Sequence, residues 1–449
     1  MKLRNLFLAS LAVCTMASCS KDDDGISGPQ EVDAYLSFAS TTDVMTKASA
    51  AGADDAGNGK EAKIRSLTAY VFDTSTDNKY VISKHVSLEG SGEEGEDYNV
   101  AGEDEDKSIT SIKAIHVKVA KPATDEGNSS TTFKVVLLAN TEYYNDVTKL
   151  ADLKGKTTQD ITSLNAKEVG SSYLPMHSPE LTVGGLKPSS DTKHFMNWYN
   201  GASSCTSVLA TGKGDHKGDD PTTGVTKVTM TRSIARVQLV SLNANFSALE
   251  SAGKTIKFDV TSVFLANVRV NASVMGEENT EAAFYRGAPE SFDELQFLIA
   301  LNNSTVDEEL KAAYSDKSLT TAGDPLTNWN FDKYINANSP ASIKGIPFTA
   351  NGNGTYAKGE GDGAYQTRLI IAGNYYDGNQ SKGTRYFHIP LKLVGDVGNV
   401  ASNKFFKISA TITGEGSPNP DEILENACIN FNIEVDDWKV VNQTEEDTN

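Results

Sequence analysis

From residue 30 to the C-terminus, short segments of β-branched and aromatic residues alternate with clusters of Gly, Asn, Asp and Ser. A period of two sends every second side chain to one face of a pleated backbone, so such segments read as strands punctuated by turns. The expected strands are 67–73 (LTAYVFD), 109–119, 133–140 (FKVVLLAN), 235–242 (ARVQLVSL), 258–270, 367–372, 386–394, 405–413 and 427–435. Helical periodicity is confined to 145–153, 244–252 and 305–315. A mainly β chain with 36 glycines and 449 residues must bury its sheets against one another, which makes β-sandwich domains with a few short helices the expected architecture.

Acidic or Gly-rich loops at 89–106, 211–223 and 350–363 separate groups of strands. The loop at 211–223 looks like a boundary, giving expected domains at 48–224 and 225–449. The net charge of −19 excludes a nucleic-acid partner, because phosphate contacts need a basic face. It suits a secreted protein kept soluble by its own acid.

The N-terminus carries Lys2 and Arg4 ahead of an apolar run, 6–14, too short to span a bilayer and shaped like a secretory signal. Met16-Ala17-Ser18-Cys19 then resembles the lipobox of bacterial lipoproteins, with cleavage before Cys19 and lipid on its thiol. Residues 1–18 are the expected signal peptide and 19–47 a lipidated propeptide. The Ser20-Lys21-Asp22-Asp23-Asp24 run that follows is similar to the export signal of surface lipoproteins of Bacteroidota.

Two segments share one pattern. In 31–38, Val32, Ala34, Leu36 and Phe38 fall on a single face of a strand. In 428–435, Ile429, Phe431, Ile433 and Val435 do the same, and the rhythm resumes at Trp438 and Val440. Between the first of these and the body lies Thr46-Lys47-Ala48-Ser49 and then AAGADDAGNG, a small-residue stretch open to proteolysis. A cut after Lys47, before Ala48, frees the first strand and opens a groove that a second strand of the same pattern could fill. Burying four apolar side chains is worth roughly 6–12 kcal/mol before ordering costs, at about 1.5–3 kcal/mol each. Each feature also has an ordinary reading, as a linker lysine and as the last strand of its own sheet.

No catalytic or cofactor pattern stands out. The six His have no metal-ligand spacing, and no nucleophile elbow or phosphate-binding loop is present. The glycines at 352–363 lack a strand-to-helix setting, so they read as turn residues. No enzymatic activity, metal or cofactor is expected, and 215–220 reads as a solvated loop. The four Cys have no C-x-x-C spacing, and a Cys205–Cys428 disulfide is permitted but not fixed by sequence. The rival reading is a surface glycan binder using Trp198-Tyr199, Tyr375-Tyr376 and Trp329 as a platform.

Taken in order, several short motifs resemble the type V fimbrillins of Bacteroidales. They are the lipobox at Cys19, Thr46-Lys47-Ala48, SLTAYVFD at 66–73, VLLAN at 136–140, Leu174-Pro175-Met176, RSIARV at 232–237, VFLANV at 263–268, ITGEG at 412–416 and Val435-Asp436-Asp437-Trp438. The resemblance implies two transthyretin-like β-sandwich domains and a precursor lipoprotein carried to the outer membrane. A trypsin-like protease then removes the first strand, and identical or related subunits join through a C-terminal donor strand into an extracellular fimbrium. Carried onto this chain, Cys19 is the lipidation site, Lys47–Ala48 the cleavage site, Val32, Ala34, Leu36 and Phe38 the removed strand, and Ile429, Phe431, Ile433, Val435, Trp438 and Val440 the donor. Well-known members are cut after Arg; here the residue is Lys47, with Arg65 as the fallback. Both a removable strand and a donor favour a shaft subunit over an anchor or tip.

Overall fold

A computed structural model describes residues 30–42, 44–45, 59–88, 97–102, 107–124, 127–165, 171–190, 193–209, 221, 223–250, 253, 255–266, 268–269, 271–276, 284–285, 298–299, 318–327, 331–336, 349–350, 354–355, 367–391, 400, 402–418, 428–437 and 440–441. The chain is mainly β. Its first half contains β1 (Glu31–Thr42), β2 (Val44–Met45), β3 (Ser66–Asp73), β4 (Lys79–Ser87), β5 (Tyr98–Ala101), β6 (Ser108–Ala120) and β7 (Phe133–Ala139). There follow β8 (Met176–His177), β9 (Leu181–Val183), β10 (Phe195–Tyr199), β11 (Cys205–Leu209) and β12 (Lys227–Arg232). Eleven of these strands form one continuous sheet ordered β11-β10-β1-β12-β8-β7-β3-β4, with β6 on β1, β5 on β6 and β9 on β7.

The sheet folds over itself around a core that takes Ala34, Leu36 and Phe38 from β1, Ile112, Ile115 and Val117 from β6, and Leu67, Val71, Val135 and Leu137 from β3 and β7. The near-continuous apolar runs of β3 and β7 have a reason. Their outer face, with Tyr70, Phe72, Val136 and Leu138, is covered by Leu150 and Leu153 of α1 (Leu150–Lys154) and by Val274 and Met275. Strands buried on both faces lose the polar alternation that a solvated face imposes.

The second half contains β13 (Ile234–Ala244), β14 (Ile256–Ala266), β15 (Asp332–Asn336), β16 (Arg368–Asp377), β17 (Gln380–Pro390), β18 (Lys404–Ile412), β19 (Ile429–Asp437) and β20 (Val440–Val441). One five-stranded sheet runs 326–327, β13, β18, β19, with β15 also on β13. The other runs 298–299, β14, β16, β17, with 318–319 also on β14. A second core, including Val237, Leu239, Phe258, Phe264, Ile371, Phe387, Phe406 and Ile408, fills the space between them. These are β-sandwich layers, as expected.

Three details differ from the sequence reading. Residues 227–232, expected to open the second domain, add to the first sheet: β12 pairs with β1 from Ala39↔Lys227 to Thr42↔Met230, and its alternate residues Val228 and Met230 enter the first core. Residues up to Arg232 thus belong to the first sheet, and β13 begins the second group of sheets. The helix expected at 145–153 is shorter and later, at Leu150–Lys154, and that expected at 244–252 shrinks to Ser247–Glu250. The helix expected at 305–315 lies outside the described residues.

Where the two halves meet, a buried polar cluster joins the apolar packing of Ile161 and Leu174 with the second core and of Val274 and Met275 with the first half. Arg232 Nε donates to the Glu61 carbonyl at 3.1 Å, and its Nη1 donates to Asn403 Oδ1 at 2.6 Å. Tyr334 donates its hydroxyl to Glu61 Oε1 at 2.5 Å. Arg236 grips Asp332 with two N–H groups, lies 4.6 Å over the Phe405 ring, and sits 3.9 Å from Glu61 Oε2. Burial pushes the Glu61 carboxyl above its usual range, against the opposing pull of Arg236, the Tyr334 hydroxyl and Arg232.

That shift has a measurable sign. In the unfolded chain Glu61 titrates near 4.5. Because the folded form holds its proton more tightly, the group's contribution to stability is full below that pH and is lost as pH rises through the higher folded value. Glu61→Gln keeps the shape and removes the titration. The variant should gain on the parent as pH rises from about 4 to 7, read as the difference in denaturant midpoint at each pH; a constant difference would refute the assignment.

Candidate functional site

β1 is an interior strand. Along one edge it pairs antiparallel with β6 from Glu31↔Ala120 to Ala39↔Ser111. Along the other it pairs parallel with β10 at 35–37 and then with β12 at 39–42. Ala34, Leu36 and Phe38 are fully buried, and Val32 packs against the same core. All four residues of the expected face thus lie together. The alternation survives a register shift between Leu36 and Phe38, where Ala114 on β6 takes the left-handed conformation at φ 55°.

Side chains reinforce the pairing. Asn197 Nδ2 donates to the Tyr35 carbonyl at 3.0 Å, while its Oδ1 accepts from Lys187 N and Ser207 Oγ. Phe38 meets Tyr199 at 5.9 Å, and Tyr35 stacks on His116 at 5.2 Å. Burial alone would raise the Asp33 carboxyl, but hydrogen bonds from Lys118 and His116 hold it below its usual range. Those partners are solvent-facing, so the ion pairs add about 1 kcal/mol or less. β1 is held by its backbone and its buried face.

The C-terminal strand is placed differently. Among the described residues β19 pairs only with β18, from Ile412↔Ile429 to Lys404↔Asp437, and so lies at the edge of the described sheet. Ile429 and Ile433 are half-buried against the second core, whereas Phe431 is 43% exposed. Asn430, Asn432 and Glu434 face solvent. Beyond it, β20 pairs in parallel with β2, Val44↔Val440 and Met45↔Val441. The tail end and the segment that follows β1 are therefore strand partners within one chain. Val435 and Val440 lie in these strands. Cys19, Lys47, Ala48 and Trp438 lie outside the described residues.

Arg65, the fallback cleavage residue, is poorly placed for a protease. Its N–H donates to Asn140 Oδ1 at 2.8 Å, its carbonyl accepts from Leu88, and β3 begins at the next residue. Asn140 takes the left-handed conformation at φ 54°, and its Nδ2 also donates to the Lys63 and Leu174 carbonyls.

Other expectations are settled by burial. Trp198, Tyr199 and Tyr375 are buried, so they pack cores rather than form a glycan platform; Tyr376 sits beneath Lys257, and Trp329 lies outside the described residues. Cys205 and Cys428 are free thiols against different cores, so the permitted disulfide does not form. Burial pushes the Cys205 thiol up to about 12, which leaves it unreactive. Among the described residues no His, Cys, Asp and Glu cluster could hold a metal, and no helix is long and apolar enough to cross a membrane.

Sequence reasoning missed the far edge of the groove, β10 and β12. The signal for β12 was present in KVTMTR, whose Val228 and Met230 are buried between the exposed Lys227 and Thr229. For β10 nothing in FMNWY announced a parallel partner 160 residues from β1, since such pairing leaves no local mark.

No curated protein matches the chain. Two crystal structures of candidate cell adhesion proteins from Parabacteroides distasonis ATCC 8503 each align with 92% of it, at 16% identity and a TM-score of 0.51, over 99% and 100% of their own lengths. They share its fold. A fimbrilin (FimA) from Porphyromonas gingivalis W83 aligns over 92% of this chain and 99% of its own, at 16% identity and a TM-score of 0.49. Residues 34–232 match the family model of the major fimbrial subunit protein, FimA, and that match stops at the last residue of β12, the last strand of the first sheet. Over this segment, somewhat less than half of its length, the chain is similar to the major fimbrial subunit (FimA) family.

Proposed function

We propose that the chain is the precursor of a fimbrial shaft subunit that polymerises by exchanging β1 for the C-terminal segment of a neighbouring copy. The observation that carries this reading is the contrast in placement: β1 is paired on both edges with its apolar face buried, while β19 offers a similar alternating face from a half-exposed edge. The precursor is lipidated at Cys19 and held at the outer membrane. A trypsin-like protease cuts between Lys47 and Ala48. β1 then leaves, and the groove between β6 on one side and β10 and β12 on the other takes Ile429, Phe431, Ile433, Val435, Trp438 and Val440 from the next subunit. The product is an extracellular fimbrium of identical or related subunits, serving adhesion, colonisation and biofilm formation. It is a structural role without catalysis.

The β2–β20 pairing supports coupling of the two halves of this exchange. A cut after Lys47 severs β1 and β2 together from the body, so departure of the propeptide also strips β20 of its partner. One proteolytic event opens the acceptor and loosens the donor.

Purified protein treated with a trypsin-like protease should acquire a new N-terminus at Ala48 and, on unboiled gels, a ladder of high-mass species that disappears when 429–449 are deleted. Cleavage that leaves only monomer would refute polymerisation, and resistance near Lys47 would remove the trigger. Stability of the uncut protein should separate the two strands. Phe38→Ala should cost about 3–5 kcal/mol, as for a fully buried aromatic, and Phe431→Ala about 1 kcal/mol or less. Denaturant unfolding reads both, and equal costs would mean that β19 is core rather than a releasable edge.

A further inference from the structure

A cleft of about 470 Å³ opens at the ends of β3 and β4, beside the loop that follows β7, and takes no residue from β1, β19 or β20. Its lining is unlike that of a site for an apolar ligand, which is mostly aliphatic and aromatic. Leu164 and Pro175 are the only aliphatic members; the rest are largely hydroxyl, amide and tyrosine side chains.

Tyr143 is its most exposed tyrosine, at 47%. That ring is fixed in advance: its hydroxyl shares a 2.9 Å hydrogen bond with Ser83 Oγ, and its centroid lies 6.4 Å from that of Tyr70 and 5.6 Å from that of the tilted His85 ring. The Arg65 guanidinium lies 5.3 Å over the Tyr173 ring, its Nε buried without a hydrogen-bond partner. Thr141 Oγ1 is buried without a partner in the same lining. Native proteins rarely leave such atoms unsatisfied unless a water or ligand supplies the bond. Gln159 donates to Glu142 Oε1 at 3.1 Å, which presents an oriented donor and acceptor at the rim.

We infer that this cleft binds a neutral saccharide unit, its ring laid on Tyr143 and its hydroxyls bonded by Arg65, Thr141, Glu142 and Gln159. An amphipathic ring beside a set of mixed donors and acceptors suits a ligand that is apolar on one face and polyhydroxylated at its edge. A phosphate or other anion fits less well, because Arg65 is the one Lys or Arg in the lining and the chain's charge of −19 repels anions at long range. If the chain also polymerises as proposed, each subunit would repeat the site along a fibre, and weak single contacts would add as avidity.

The test uses uncut, monomeric protein, so its outcome does not depend on strand exchange. Ligand-observed NMR titration with methyl β-D-glucoside, methyl β-D-galactoside and methyl N-acetyl-β-D-glucosaminide should show saturable binding of at least one, with Kd near 1–10 mM, typical of a single small contact set. Tyr143→Ala should weaken it about 10-fold or more and Tyr143→Phe by about 3-fold or less, since the ring rather than the hydroxyl carries the contact. Gln159→Ala, at an exposed position, serves as a second variant expected to lower affinity without altering the fold. The inference is overturned if none of the three glycosides saturates, if Tyr143→Ala and Gln159→Ala both bind as the parent does, or if cyclohexanol competes as well as the glycosides.

Discussion

The backbone of β1 is what the first sheet depends on. It supplies hydrogen bonds to β6 on one side and to β10 and β12 on the other, and through β12 it joins the layer of β10 and β11 to that of β8, β7, β3 and β4. Without it, three strands would present unpaired N–H and C=O groups beside a slot emptied of Ala34, Leu36 and Phe38. Each backbone group left buried and unpaired costs about 1–3 kcal/mol, so an empty groove is not a resting state. A chain of this design needs some strand in that position at all times. That requirement, more than any single side chain, is what makes replacement of β1 the natural reading of its removal.

Local pattern made most of this legible. β3, β6, β7, β13 and β18 were readable from alternation or apolar runs, within a few residues at each end, and so was the shared face of Val32, Ala34, Leu36 and Phe38. What stayed hidden was pairing between distant segments. Nothing in 195–199 or 227–232 says that these strands flank β1 in parallel, and the composition shift at 211–223 does not show that β12, beyond it, returns to the first sheet. Aromatic pairs misled for a related reason: Trp198 and Tyr375 look like an exposed platform in sequence, but burial is decided by what folds over them. The cleft beside Tyr143 has the opposite history, since its residues are scattered from 65 to 175 and only the fold assembles them.

The polar junction at Glu61 ties the two halves alongside the apolar contacts of Val274 and Met275 with the outer face of β3 and β7. Arg232 closes β12 and reaches both Glu61, ahead of β3, and Asn403, ahead of β18. Removing any one member strands the others, which is why such clusters enforce a geometry even when their net contribution to stability is small.

If the strands exchange as proposed, the direction follows from where each one starts. β19 uses hydrogen bonds on one edge only, and Phe431 keeps 43% of its surface in solvent. An interior groove offers both edges and a closed core, so transfer from edge to groove gains hydrogen bonds and apolar burial together. Departure unpairs the backbone of β18 from Lys404 to Ile412 and exposes the half-buried Ile429 and Ile433, a cost that the groove must exceed, while Ile408, Ala410 and Ile412 stay in the second core. On the proposed reading, an uncut chain keeps β1 in place, and a cut chain that has lost it regains both ladders and a closed core by accepting the tail of another copy.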